Sequence, residues 1–153
     1  MALEHIHPIV VHFPIVLLLL ALTLDARNGF RGDDLAGAAV PARAGRLALY
    51  GGAVAAVLAV GFGYLAQSIA IGRGFADALI EDHEGLGVTT ALVFAALAIG
   101  RAAAVRSGVP LGGGRGRLVA ALTALGVAVL LATAYHGGQL VYGHGVNVAG
   151  VKP

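Results

Sequence analysis

The chain of 153 residues carries too few charges for a water-soluble domain of its length. Charged residues make up 12% of the sequence and hydrophobic residues 58%, whereas soluble domains contain about 25% charged residues. Cysteine is absent, which excludes disulfides, thiolate-held iron–sulfur clusters and covalently attached c-type haem. The net charge of +2 does not indicate nucleic acid, because loop arginines in a membrane protein report its orientation.

Four apolar segments are each long enough to cross a bilayer core of about 30 Å as a helix. They extend from about residue 8 to 24, 47 to 72, 82 to 100 and 118 to 141. The first is interpreted as a retained helix, because it lacks the basic start of a signal peptide. The sequence therefore predicts an all-α integral membrane protein, a four-transmembrane-helix bundle forming one domain over residues 1–153. No internal repeat is evident.

Arginines are concentrated in the two segments that follow the first and third spans. The opposite face carries only Arg73 and Lys152. Because positive charge marks the cytoplasmic side, both termini are predicted to be extracytoplasmic, in a multi-pass protein of the bacterial inner (cytoplasmic) membrane. The arginines between spans are Arg27, Arg31, Arg43, Arg46, Arg101, Arg106, Arg115 and Arg117.

All six histidines lie on the face opposite the arginines. One group opens the first span, His83 opens the third, and His136 and His144 lie near the end of the fourth. Three helices are thus predicted to bring imidazoles into one layer of the bundle. The first group comprises His5, His7 and His12.

Depth ranks these histidines as ligands. At 1.5 Å per residue, His12 lies about 6 Å inside its span and His136 about 7–9 Å inside the fourth. Polar groups at membrane depth are costly and tend to be functional, so His12, His136 and then His83 are the leading metal-ligand candidates. His7 and His144 are further cofactor candidates near the headgroups. His5 is interpreted as a solvated interfacial residue.

Haem b is the cofactor that this pattern favours. It is flat and apolar, inserts between helices, and takes one imidazole on each face. Zinc held by three histidines is the alternative, although no carboxylate or thiol lies at membrane depth to complete a familiar set. Small residues in the outer half would admit the ring, but glycines also serve ordinary helix contacts. They are Gly61, Gly63, Gly85, Gly87, Gly137 and Gly138.

Two further features bear on the site. Pro14 cannot donate a hydrogen bond to the carbonyl of Val10, which predicts a bend in the first span beside His12. Gln67 and Tyr135 are minor candidates for contact with a haem propionate or a quinone.

The ends of the chain resemble one family. H-P-I-V-V-H-F-P-I, from His7 to Ile15, is similar to the start of the DUF2231 family of predicted bacterial membrane proteins. G-G-Q-L-V-Y-G-H-G-V-N-V, from Gly137 to Val148, is similar to its ending, and His83 fits the start of its third span. The resemblance implies a four-helix accessory subunit found beside Rieske and cytochrome c redox proteins.

The leading hypothesis is a b-type haem subunit that transfers electrons near the periplasmic face, within a larger redox complex. On this reading His12→Ala abolishes low-spin haem, whereas His5→Ala has no effect. The alternatives are a cofactor-free scaffold subunit and a small transporter or metal-handling protein. Neither a nucleophile–base pair nor a phosphate loop is present, so no enzyme activity is predicted, and no nucleic acid partner.

Overall fold

The computed structural model describes residues 5–148 and 150–151, and the regular structure of this part of the chain is entirely helical. Four helical segments are long and apolar enough to cross a membrane, the first of them interrupted once. The prediction of an all-α bundle with four candidate spans is confirmed. The elements are α1 (Ile6–Val10), α2 (His12–Arg31), α3 (Val40–Gly72), a 3₁₀ turn (Asp77–Leu79), α4 (Glu81–Arg106) and α5 (Gly113–Tyr142).

The helices extend further on the arginine side than the hydropathy of the sequence indicates. The first span ends at Arg31 rather than near residue 24, and α4 ends at Arg106 rather than near residue 100. α3 and α5 likewise begin earlier, at Val40 and Gly113. Charged residues that the sequence analysis placed in loops therefore lie in helical turns.

The two arginine-side loops are tied to each other. The Asp34 carboxylate accepts hydrogen bonds from the backbone N–H of Ala36 at 2.9 Å and of Leu111 at 2.7 Å. The N–H of Leu35 donates to the carbonyl of Leu111 at 3.2 Å. This end of the bundle is therefore held together across the two helical hairpins.

The helices form a ring in which α2 and α4 each pack against both α3 and α5. The core between them is apolar and includes Leu18, Leu49 and Phe94. Glycines allow its tightest contacts, because a Cβ on Gly52 would lie 2.6 Å from Leu18 Cδ2. A Cβ on Gly126 would likewise lie 2.9 Å from Phe94 Cζ.

The two helical hairpins, α1–α3 and α4–α5, are built alike. Asp25 and Arg101 are 76 residues apart, and the same separation relates His7 to His83 and Leu18 to Phe94. His7 and His83 are neighbours in space, as are Asp25 and Arg101. Contacts between equivalent positions place an approximate two-fold axis along the bundle. The sequence analysis missed this repeat because different residues occupy most equivalent positions.

Candidate functional site

A cavity of about 520 Å³ lies between the two hairpins at the histidine end of the bundle. Its size falls within the range of roughly 300–1,000 Å³ that is usual for small-molecule and cofactor sites. Every span contributes to its mainly apolar wall, with residues such as Ile15, Ala59, Val88 and Leu130. Four histidines also line it: His5, His7, His12 and His83.

His7 and His83, one from each hairpin, lie beside each other. Their ring centroids are 6.0 Å apart and their planes are inclined by 76°. Both rings are half-buried and both line the cavity. The structure thus brings one histidine from each hairpin to the same point of the cavity.

A backbone carbonyl orients each of these two rings. His7 Nδ1 lies 3.0 Å from the carbonyl oxygen of Ala59 in α3, and His83 Nδ1 lies 3.0 Å from that of Thr133 in α5. A carbonyl oxygen only accepts, so Nδ1 carries the proton in both rings. In the neutral ring Nε2 then has a free lone pair. An imidazole held through its other nitrogen in this way is the usual arrangement of a metal ligand.

Glycines let both rings approach the neighbouring helix. A Cβ on Gly63 would lie 3.3 Å from Cε1 of His7, and a Cβ on Gly137 would lie 2.8 Å from Cε1 of His83. Each of these glycines is one helical turn beyond the carbonyl that holds the ring. The same three parts, a histidine, a carbonyl and a glycine, are therefore repeated in both hairpins.

Gly137→Ala is expected to displace the His83 ring, because the added methyl group needs the space that Cε1 occupies. The matched control is Gly138→Ala, whose Cβ meets nothing within 4 Å. If the cavity binds haem, the first variant should lose low-spin absorption and the second should keep it. Equal spectra for the two variants would contradict this role of Gly137.

The remaining histidines are placed differently. His12 lines the cavity, but its side chain is exposed and has no hydrogen-bond partner among the described residues. His136 packs edge-on against Tyr135, with ring centroids 5.7 Å apart, and does not line the cavity. His144 is exposed beyond α5, and His5 is exposed at the cavity mouth. The structure therefore does not bring His12 and His136 together as depth alone favoured.

A family model matches almost the whole of this chain. The model, described as a predicted membrane protein (DUF2231), covers residues 4–150. The chain belongs to the DUF2231 family. The match confirms the resemblance that the two end motifs indicate. No curated protein and no solved structure matches the chain.

The cavity mouth of this DUF2231 protein carries a polar network. The Gln67 amide nitrogen donates to Glu84 Oε2 at 2.8 Å and to Asp77 Oδ1 at 3.1 Å. Of the two residues singled out for a minor role, Gln67 lines the cavity and Tyr135 does not. Glu84 lines the cavity immediately after His83, so the mouth between α3 and α4 is closed by hydrogen bonds.

A second polar cluster lies in the arginine-side half of this DUF2231 bundle, and the sequence analysis missed it. Arg101 donates to both oxygens of Asp25, at 2.8 Å and 2.5 Å, and Thr123 donates to Asp25 at 3.2 Å. Both charged side chains are only 1% exposed. Their positions directly after two apolar runs were the available signal, but that pattern is also typical of a helix end. The arginine-side half of the bundle therefore contains a buried pair of charged groups.

No three ligating side chains converge on a metal position within the described residues. A tetrahedral zinc site of the usual kind needs at least three protein ligands. His7 and His83 each have a free ring nitrogen and line the same cavity, with ring centroids 6.0 Å apart. Two imidazoles are the number of protein ligands that many haems take.

Proposed function

We propose that this protein is a b-type haem-binding electron carrier of the membrane, with one haem held between His7 and His83. The supporting observation is the pair of neighbouring imidazoles, with both Nδ1 atoms bound to carbonyls and both Nε2 atoms free. The proposed role is electron transfer.

The spacing of the rings supports a shared iron. His7 and His83 would hold the iron through their free Nε2 atoms, and their ring centroids lie 6.0 Å apart. Bound there, haem exchanges single electrons, and the protein tunes this exchange through its axial ligands and its apolar surroundings.

This proposal changes the ligand pair that the sequence favours. Depth selected His12 and His136, but His7 and His83 are the two cavity-lining histidines that a backbone carbonyl holds through Nδ1. His136 is left outside the wall of the cavity. His83, the third candidate by depth, is now a proposed ligand, and His12 becomes a residue of the cavity edge rather than a haem ligand.

The orientation is part of the proposal. We place the histidine end on the periplasmic side of a bacterial inner membrane, because the loops at the other end carry most of the arginines. A reporter that is active only in the cytoplasm, fused after Pro153, is expected to remain silent. Strong reporter activity would place the haem site on the cytoplasmic side instead.

The proposed redox partners are extramembrane proteins of the cytochrome or Rieske type, with the chain as a subunit of a larger complex. The support is indirect: the cavity opens at the outer end of the bundle, where such a protein can approach the haem edge. Co-purification of the tagged chain from its native membrane, followed by mass spectrometry, tests this association. Recovery of the chain alone would argue against a stable complex.

Absorption spectroscopy of the purified protein tests the function. Protein made with ample haem should show a Soret band and, after dithionite reduction, the sharp α band of a six-coordinate, two-imidazole haem. A colourless protein would favour the cofactor-free scaffold. Metal analysis with one transition metal per chain and no haem band would favour metal handling.

A further inference from the structure

The helices around the cavity do not all shield it equally from the surroundings of the protein. Among the lining residues that the spans contribute, none on α4 is exposed and one on α3 is, Tyr64, whereas several exposed ones occur on the first span and on α5. On the first span they are His5, Pro8 and His12, and on α5 they are Ala134, Val141 and Tyr142. The described residues therefore leave the cavity accessible along the seam between the first span and α5.

The two-fold repeat explains this difference. The seam between α3 and α4 is covered by the segment that connects them, where Phe75 and Ile80 are buried against Ala70 and Leu140. The equivalent seam, between α5 and the first span, has no connecting segment, because the chain does not pass from α5 to α1. After α5 the chain instead returns towards α3, where Asn147 donates to the carbonyl of Ala66 at 3.0 Å.

The first span also departs from the repeat at this seam. α1 packs against α3, but unlike α2 it has no extended contact with α5 in the described helices. His12 stands beside this gap, and Val88 occupies its equivalent position in α4. An exposed imidazole at membrane depth without a hydrogen-bond partner is costly, and such groups in a span mark substrate paths.

From these observations we infer that the seam between the first span and α5 is a lateral entrance from the bilayer for a lipid-soluble quinol, whose hydroxyl group binds His12. This inference rests on the proposed haem site. A ligand arriving through the lipid must be apolar, and one that exchanges electrons with the site must be redox-active. An isoprenoid quinol meets both conditions. Its hydroxyl group can also form the hydrogen bond for which His12 has no partner among the described residues.

The proposed step balances for two electrons. Oxidation of the quinol to the quinone breaks two O–H bonds and releases two protons and two electrons. A haem held by His7 and His83 would take the electrons one at a time, and the proposed extramembrane cytochrome or Rieske protein would be their final acceptor. His12 accepts each proton and releases it to water at the nearby outer face.

Stopped-flow reduction by decylubiquinol, followed at the α band, tests the entrance. His12→Leu should slow reduction by about 100-fold, the effect typical of losing a positioned proton acceptor. Ala134→Phe should also slow it by blocking the seam. The matched control is Leu131→Phe, on the same helix but outside the cavity wall, which should reduce at the wild-type rate. Dithionite should reduce all four proteins fully.

The other outcomes separate the two proposals. Equal rates for all variants, or no reduction of the wild type by quinol when dithionite gives a full spectrum, would overturn the entrance and leave the haem site standing. Purified protein that contains no haem would contradict the proposed haem site. Photolabelling with an azidoquinone then tests the binding step. Labelled peptides from the first span, around His12, and from α5 would support it, and labelling elsewhere or none would overturn it.

Discussion

Replacing either His7 or His83 by alanine should convert a low-spin haem into a five-coordinate, high-spin haem. Each ring supplies one free Nε2, and no other described side chain lies in an equivalent position. The His7→Ala/His83→Ala double variant should bind no haem. Electron paramagnetic resonance of the oxidised proteins, together with the haem content per chain, measures both effects.

His136→Ala and His12→Ala are the controls for this experiment. Neither ring shares the carbonyl anchor of His7 and His83, so both variants should keep the low-spin signal. The opposite pattern, with the signal lost in His12→Ala and retained in His7→Ala, would reinstate the ligand pair that depth favours.

Arg101→Ala should be among the most destabilising single substitutions in the bundle. It leaves the Asp25 carboxylate buried with only the Thr123 hydroxyl to satisfy it. Removing one partner of a buried ion pair typically costs about 3–5 kcal/mol. Thermal unfolding in detergent should show the loss. Arg106→Ala, an exposed arginine at the end of the same helix, should change stability by less than about 0.5 kcal/mol.

The reversed pair, Asp25→Arg/Arg101→Asp, sharpens this prediction. Because the two positions are equivalent about the axis, exchanging their charges should restore part of the stability that either single variant loses. Thr123 lies on only one side of the pair, so recovery should be incomplete. A double variant no more stable than its single parents would show that the surroundings, rather than the pair itself, fix which charge each position carries.

The fold could be predicted from the sequence because the lipid bilayer restricts which segments can cross it. A helix that crosses the bilayer must be apolar for about 20 residues, and four such stretches are present. The helix ends were less accessible. Hydropathy stops at the first charge, so Asp25 and Arg101 were assigned to loops. The two charges satisfy each other across the bundle, which lets both helices continue beyond them.

The histidine layer could be predicted, but not the pairing within it. Depth along the spans ranked His12 and His136 above His7. Depth does not report which histidines line the cavity, and His7 and His12 both do, whereas His136 does not. The anchoring carbonyl of Ala59 and the clearance at Gly63 belong to another helix, so no local pattern around His7 reveals them.

The charges at equivalent positions also bear on how the hairpins choose their partners during membrane assembly. If two first hairpins met in the same arrangement, Asp25 would face another Asp25, and two second hairpins would set Arg101 against Arg101. Either encounter buries like charges in an apolar medium, which is strongly unfavourable. Only a first and a second hairpin neutralise each other's charges. The ion pair therefore disfavours association of two identical hairpins as well as stabilising association of the two different ones.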